Sequence, residues 1–240
     1  MKRKTVALVA AAVTTALAAA GGAAWYLTQP RKDKPNPKKR YLACIGDSIT
    51  FGAGVVLARK RQAWPYLLEK LLGIDCQVLN YGISGATAQN EGDSPYRSTD
   101  FFATALSVKA DTYLFMLGTN DSKPYNWNAK NYEKNVREML EDLKATGGRV
   151  VVLFPPKAFP DKKGRIAFDI SDDVIKNEII PILGRLAEEY NLSVIDLYQY
   201  TEGHPEYFVD GVHPNASGNS AIASFVFSKL RDLWDDNMIF

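Results

Sequence analysis

The chain has 240 residues, of which 46% are hydrophobic, 23% charged and 11% aromatic, a balance that excludes wholesale disorder, collagen-like repeats and coiled coils. Two cysteines and two histidines exclude a disulfide framework and a tetrahedral zinc cluster built from those residues alone. The formal net charge of +2 hides an asymmetry. Residues 1–40 carry nine of the 29 Lys and Arg but one of the 27 acids, which leaves residues 41–240 at −6. A mildly acidic body without a long basic run does not suit nucleic acid as a partner.

Met1–Lys4 is basic, and Thr5 to Pro30 carries no charge. Its Ala/Val/Leu-rich part, Val6–Leu27, covers 22 residues, about 33 Å as a helix and long enough to cross a bilayer. Ala18-Ala19-Ala20 offers the small residues of a cleavage site. Residues 1–29 are therefore expected to be a signal peptide or an N-terminal membrane anchor, with membrane association through residues 6–27. The expected location is extracytoplasmic, secreted or anchored. Six basic residues follow the span and three precede it, so the positive-inside rule leaves a cytoplasmic-facing orientation open. Residues 30–40 (PRKDKPNPKKR) read as a basic, proline-rich linker, with three prolines and no large apolar side chain.

From Tyr41 onward, short apolar runs alternate with helical patterns. Tyr41–Ile45, Cys76–Asn80, Thr112–Leu117, Val150–Phe154 and Leu192–Ile195 read as buried parallel strands. Between the third and fourth, Tyr132, Val136, Met139, Leu140 and Leu143 fall on one helical face, and Gly147-Gly148 marks where the helix stops. Ile222, Phe225, Val226, Leu230 and Leu233 line the last helix in the same way. This alternation predicts an α/β sandwich on a five-stranded parallel sheet, with right-handed crossovers. Cys44 and Cys76 lie within predicted strands and read as buried thiols, because a disulfide between adjacent strands there would be strained.

In such a sheet, chemistry gathers beyond the carboxyl ends of the strands. The first strand is followed by Gly46-Asp47-Ser48-Ile49-Thr50, the second by Asn80-Tyr81-Gly82-Ile83-Ser84-Gly85, and the third by Gly118-Thr119-Asn120-Asp121. The fifth leads to Asp210-Gly211-Val212-His213-Pro214. A serine, backbone donors, an amide and an acid three residues before a histidine are the parts of nucleophilic acyl transfer. Ser48 is the candidate nucleophile and His213 its base, with Asp210 fixing the imidazole tautomer. The N–H groups of Ser48 and Gly85 and the amide of Asn120 are the candidate oxyanion hole. Asp47 reads as a loop brace. His204, without an acid at suitable spacing, reads as an exposed loop histidine. Asp172-Asp173 and Asp235-Asp236 read as helix-end charges and not as metal ligands.

The four blocks GDS, GISG, GTND and DGVHP, in this order, resemble those of the SGNH hydrolase superfamily, the GDSL-type lipases and esterases. The resemblance covers essentially all of 41–240, with Ile49 where the name-giving motif has leucine. It implies an SGNH hydrolase domain over 41–240 with a flavodoxin-like three-layer α/β/α sandwich, and ester hydrolysis without metal or cofactor. By position, Ser48 matches the family's nucleophile, Gly85 and Asn120 its oxyanion donors, and Asp210 with His213 the rest of its triad.

The longer third block, Asn120-Asp121-Ser122-Lys123-Pro124-Tyr125-Asn126-Trp127, is similar to the version in bacterial members that act on carbohydrate acetyl esters. Tyr125 and Trp127 are thus candidates for an aromatic face under a sugar ring, or for packing the loop onto the domain. Lys123 is a substrate contact or a solvated charge. Residues 155–171 form a long loop near the same rim, of a length that is often functional. The expected function is a serine esterase on short acyl, mainly acetyl, esters of small molecules or carbohydrates. A lysophospholipase or thioesterase and a cell-wall glycan O-acetyltransferase use the same triad and stay open.

Overall fold

The computed structural model describes residues 36–235. Five parallel strands form its centre: β1 (Arg40–Gly46), β2 (Cys76–Gly82), β3 (Thr112–Met116), β4 (Arg149–Phe154) and β5 (Ser193–Asp196), in the order β2-β1-β3-β4-β5. β1 to β4 read as apolar runs because helices cover both faces of the sheet, whereas the edge strand β5 leaves Val194 exposed. The strand order reverses between β1 and β3, so a crevice opens at their carboxyl ends. β1 begins one residue earlier than predicted, inside the stretch read as linker. Just before it, the Asn36 N–H donates to Gln77 Oε1 on β2 at 3.0 Å.

Five longer helices pack on the sheet: α1 (Trp64–Leu72), α2 (Asp100–Ser107), α3 (Ala129–Ala145), α4 (Ile180–Glu189) and α5 (Ala216–Asp235). Period-two alternation along the strands divides the core in two. Ile45, Phe115 and Val152 face Phe102 of α2, Met139 and Leu143 of α3, and Leu183 of α4. Leu42, Cys44, Leu114 and Val151 point the other way, onto Trp64 and Leu68 of α1 and Ile222, Val226 and Leu230 of α5. All five apolar positions predicted for α3 are fully buried. Its ends follow local chemistry: the Asn128 side chain caps the first turn through the Asn131 N–H, and Gly147 at φ 89° follows the last.

A π turn over Ile175–Ile179 leads into α4. Pro181 has no N–H to return to the preceding turn, and the helix widens just before it. The two cysteines are free and buried. Cys76 pairs with Arg40 and Cys44 with Asn80, a four-residue offset of roughly 13 Å along the strands, beyond the reach of a disulfide. Among the described residues no helix is long and apolar enough to cross a membrane. The expected signal or anchor at 1–29, and Asp236, lie outside the described residues.

Candidate active site

The nucleophile candidate sits where β1 hands over to a single helical turn, Ser48–Phe51. Asp47 caps this turn, its Oδ1 accepting the Ile49 N–H at 2.8 Å, which is the bracing role read from the sequence. Ser48 is the first residue of the turn, so its N–H has no acceptor within the helix. Two features of β2 seat the turn on the sheet. Asn80 Nδ2 donates to Thr50 O at 2.9 Å while its Oδ1 accepts the Gly82 N–H at 3.0 Å. At Gly82 a Cβ would stand 2.2 Å from Phe51 N, so only glycine allows this close approach.

His213 arrives from the segment before α5. Its Nε2 lies 2.9 Å from Ser48 Oγ, and its Nδ1 lies 2.7 Å from Asp210 Oδ2. The other Asp210 oxygen accepts the backbone N–H groups of Val212 at 3.0 Å and His213 at 2.7 Å. A neutral imidazole that donates from Nδ1 to the carboxylate keeps its Nε2 lone pair for the Ser48 hydroxyl. The structure thus brings Ser48, His213 and Asp210 into one hydrogen-bonded chain.

The other side of the cleft comes from the loops after β2 and β3. Gly85 has φ +83°, a left-handed conformation that favours glycine. Asn120 is buried, and its Nδ2 donates to Ala86 O at 3.1 Å. An amide nitrogen carries two N–H groups, and the second is available to the cleft that Asn120 lines. Asp121 locks these loops together: its two oxygens accept the N–H groups of Ala88 and Gln89 at 2.9 and 2.8 Å. Asp121 and Asn80 stand in the motif blocks, but the sequence assigned neither of them a role. Their signal, a polar residue beside a motif position, does not separate a clamp from a surface charge.

The cleft over Ser48 has a volume of about 210 Å³. Its polar side is Ser48, Gly85, Asn120 and His213, and its apolar side includes Phe168, Ile170 and Val212. Tyr125 and Trp127 are not among the residues that line it. Tyr125 is 64% exposed. Trp127 donates from Nε1 to Glu178 at 3.0 Å and packs on Tyr132, with ring centroids 5.5 Å apart, so it fastens its loop to the core. The aromatic ring on the cleft wall is Phe168, from the long loop, 5.0 Å from the His213 ring and edge-on to it. Lys123 does line the cleft but is not solvated: it is buried and paired with Asp93 at 3.1 Å. His204 does have an acid, Glu206, 2.8 Å from its Nδ1, and stacks on Tyr207 away from the cleft lining.

Residues 44–221 match the GDSL-like Lipase/Acylhydrolase family. The chain belongs to that family. An acetylxylan esterase of Xylanibacter ruminicola is 34% identical to this acylhydrolase-family chain over 227 residues, covering 83% of it and 45% of the relative. The chain therefore spans less than half the length of this curated relative. Among solved structures, the M. smegmatis aryl esterase superposes with a TM-score of 0.63 at 20% identity, over 81% of this chain and 99% of the other. A carbohydrate acetylesterase from Sinorhizobium meliloti gives 0.64 at 20% identity, over 81% and 100%. These likenesses establish the three-layer α/β fold of the SGNH hydrolases for the described sheet and helices.

Charge in this GDSL-family site is arranged unevenly. Burial pushes the Asp210 carboxyl up, but the hydrogen bonds from the His213 ring and from the N–H groups of His213 and Val212 outweigh it and hold it at about 2. Asp210 therefore stays an anion through any physiological pH. Asp47 and Asp121 are fully buried, and burial raises each to about 6 despite the backbone N–H groups they accept. Among the described residues no group of three His, Cys, Asp or Glu could hold a metal ion. Asp172 pairs with Lys157 at 2.7 Å instead.

Proposed function

We propose that this chain is a serine esterase that hydrolyses short acyl esters, chiefly acetyl esters of carbohydrates, through an acyl-enzyme on Ser48. The observation that carries the chemistry is the Ser48–His213–Asp210 chain of hydrogen bonds at 2.9 and 2.7 Å. Ser48 Oγ attacks the ester carbonyl carbon as His213 Nε2 takes the hydroxyl proton, and the carbonyl electron pair moves onto oxygen. The N–H groups of Ser48 and Gly85 and the amide of Asn120 receive that oxyanion. The C–O bond to the alcohol then breaks, and the leaving oxygen takes the proton from His213. Water repeats the sequence on the acyl-enzyme: His213 takes its proton, the Ser48 ester bond breaks, and Ser48 recovers the proton as the carboxylic acid leaves.

The acyl preference draws support from size. The cleft volume of about 210 Å³ is below the roughly 300–1,000 Å³ typical of sites for larger ligands. A long acyl chain gains about 0.8 kcal/mol for each CH₂ that is buried and little for one left in water. The carbohydrate class draws support from the acetylxylan esterase relative. The test is hydrolysis of acetyl, butyryl and palmitoyl esters below micellar concentrations, and of an acetylated xylo-oligosaccharide, by wild type and Ser48→Ala. Wild type should favour acetyl and lose several orders of magnitude in kcat on Ser48→Ala. Higher efficiency on palmitoyl esters would promote the lysophospholipase reading, and a near-wild-type Ser48→Ala would remove Ser48 from the mechanism.

The same reading places the hydrolase domain outside the cytoplasm, on the strength of the uncharged membrane-length span 6–27 and the linker 30–40. Protease added to intact cells should then digest the domain. Protection until lysis would assign the opposite orientation.

A further inference from the structure

Resting on the esterase reading above, we infer that Phe168 is the specificity-determining residue for the alcohol half of the substrate, a platform for the ring of a sugar leaving group. The geometry of the reaction assigns the side of the cleft. The oxyanion must lie toward Gly85 and Asn120. The leaving oxygen must receive its proton from His213 Nε2, which stands 2.9 Å from Ser48 Oγ. The alcohol therefore departs along the His213 side. Phe168 is the aromatic ring on that side, centred 5.0 Å from the imidazole and nearly perpendicular to it. It lines the cleft and is still 54% exposed, so more than half of its surface is open to a bound molecule. An apolar ring with a polar rim suits the C–H face and hydroxyl edge of a sugar.

The backbone shows that this placement is imposed and not a resting preference of the loop. Phe168 and Asp169 have φ of +61° and +57°, two successive left-handed residues where neither is glycine. Such a conformation persists where the surroundings hold it, and it concentrates at functional sites. Here the two ends of the loop are tied to the two halves of the active site. At one end the Phe159 N–H donates to the carbonyl of Gly211, between Asp210 and His213, at 2.9 Å. At the other the Ser171 N–H donates at 3.1 Å to Ser122 Oγ, two residues after Asn120. Next to it, Asp172 accepts the Ala158 N–H at 2.9 Å and pairs with Lys157 at 2.7 Å, closing the loop on itself. The loop thus spans the cleft and lines it with Phe168 and Ile170, of which Phe168 is the aromatic ring.

The experiment compares wild type, Phe168→Ala and Phe168→Trp on two acetates: methyl β-D-xylopyranoside carrying one acetyl group, whose leaving group has a ring, and ethyl acetate, whose leaving group has none. Phe168→Ala should lose at least ten times more in kcat/KM on the sugar ester than on ethyl acetate, the extra loss falling mainly on KM, with the pH profile on ethyl acetate the same as in wild type. Phe168→Trp should recover the sugar ester. An equal loss on both esters, or a displaced pH profile on ethyl acetate, would show that Phe168 acts through His213 and overturn the inference. So would an unchanged rate of Phe168→Ala on the sugar ester. Wild type inactive on both acetates would instead overturn the esterase reading and this inference with it.

Discussion

Asp210 holds His213 at two points. One carboxylate oxygen accepts the histidine's backbone N–H at 2.7 Å, and the other faces its ring Nδ1 at the same distance. Main chain and side chain of the base are thereby referred to a single anion, which leaves the imidazole little freedom to turn away from Ser48.

Asp210→Asn therefore should not act as a silent swap. An amide can keep the backbone bonds, but its NH₂ group facing Nδ1 would favour the tautomer protonated on Nε2, which cannot take the Ser48 proton. We expect kcat on an acetyl ester to fall about 10³–10⁴-fold with little change in KM. Asp210→Ala should fall comparably, because the ring loses its anchor. Steady-state kinetics on folded protein checks both. Wild-type kcat in Asp210→Asn would remove the carboxylate from the reaction.

Asp47 should reduce stability in a definite pH window. Its folded value of about 6 lies above its ordinary 3.8 because of burial. Well below 3.8, near pH 3, both states hold the proton. As pH rises toward 6 the unfolded chain releases it first, so stability falls through that window and stays lower above it. The rise from 3.8 to about 6 corresponds to about 3 kcal/mol. Asp47→Asn, which can still accept the Ile49 N–H, should match wild type near pH 3 and exceed it at pH 8 by a value on the order of 2 kcal/mol. Urea unfolding at the two pH values decides this, and an equal difference at both would refute it.

Gly82→Ala should disable the site from a distance. The added methyl would lie 2.2 Å from Phe51 N, and neither β2 nor the Ser48 turn can retreat without breaking the Asn80 bonds. Overpacking of this kind costs about 1–3 kcal/mol. We expect a lower Tm together with a loss of at least tenfold in kcat, since the displaced element carries the nucleophile. A variant with wild-type kcat would mean that the turn tolerates the shift.

Trp127→Ala should change stability and not selectivity. Its ring packs on Tyr132, and its indole N–H bonds Glu178. The truncation should cost about 2 kcal/mol, below the range for a fully buried aromatic. The ratio of rates on acetylated oligosaccharide and on a small acetate should stay near wild type. A selective loss on the oligosaccharide would make Trp127 a substrate contact.

The chain order of elements and the positions of the four motif blocks were legible in the sequence alone. Buried parallel strands write themselves as apolar runs; Ser48, Gly85 and Asn120 follow the ends of such runs, where a parallel sheet gathers its chemistry, and Asp210 and His213 lie in the segment before the last helix. The faces of α3 and α5 were legible for the same reason: periodicity is a local property of the chain. What only the tertiary structure decided is which loop side chains meet the cleft. Trp127 and Phe168 are both aromatic residues in polar loops, and the sequence pointed to the first because its block resembles that of carbohydrate-acting relatives, with packing of the loop left open. The structure turns Trp127 onto the core at Tyr132 and sets Phe168 beside His213, with hydrogen bonds to Gly211 and Ser122 flanking a left-handed backbone. Asp121, Asn80 and the Lys123–Asp93 pair escaped for the same reason. The direction of a loop side chain depends on contacts between residues 30 to 50 positions apart, and no local pattern encodes them.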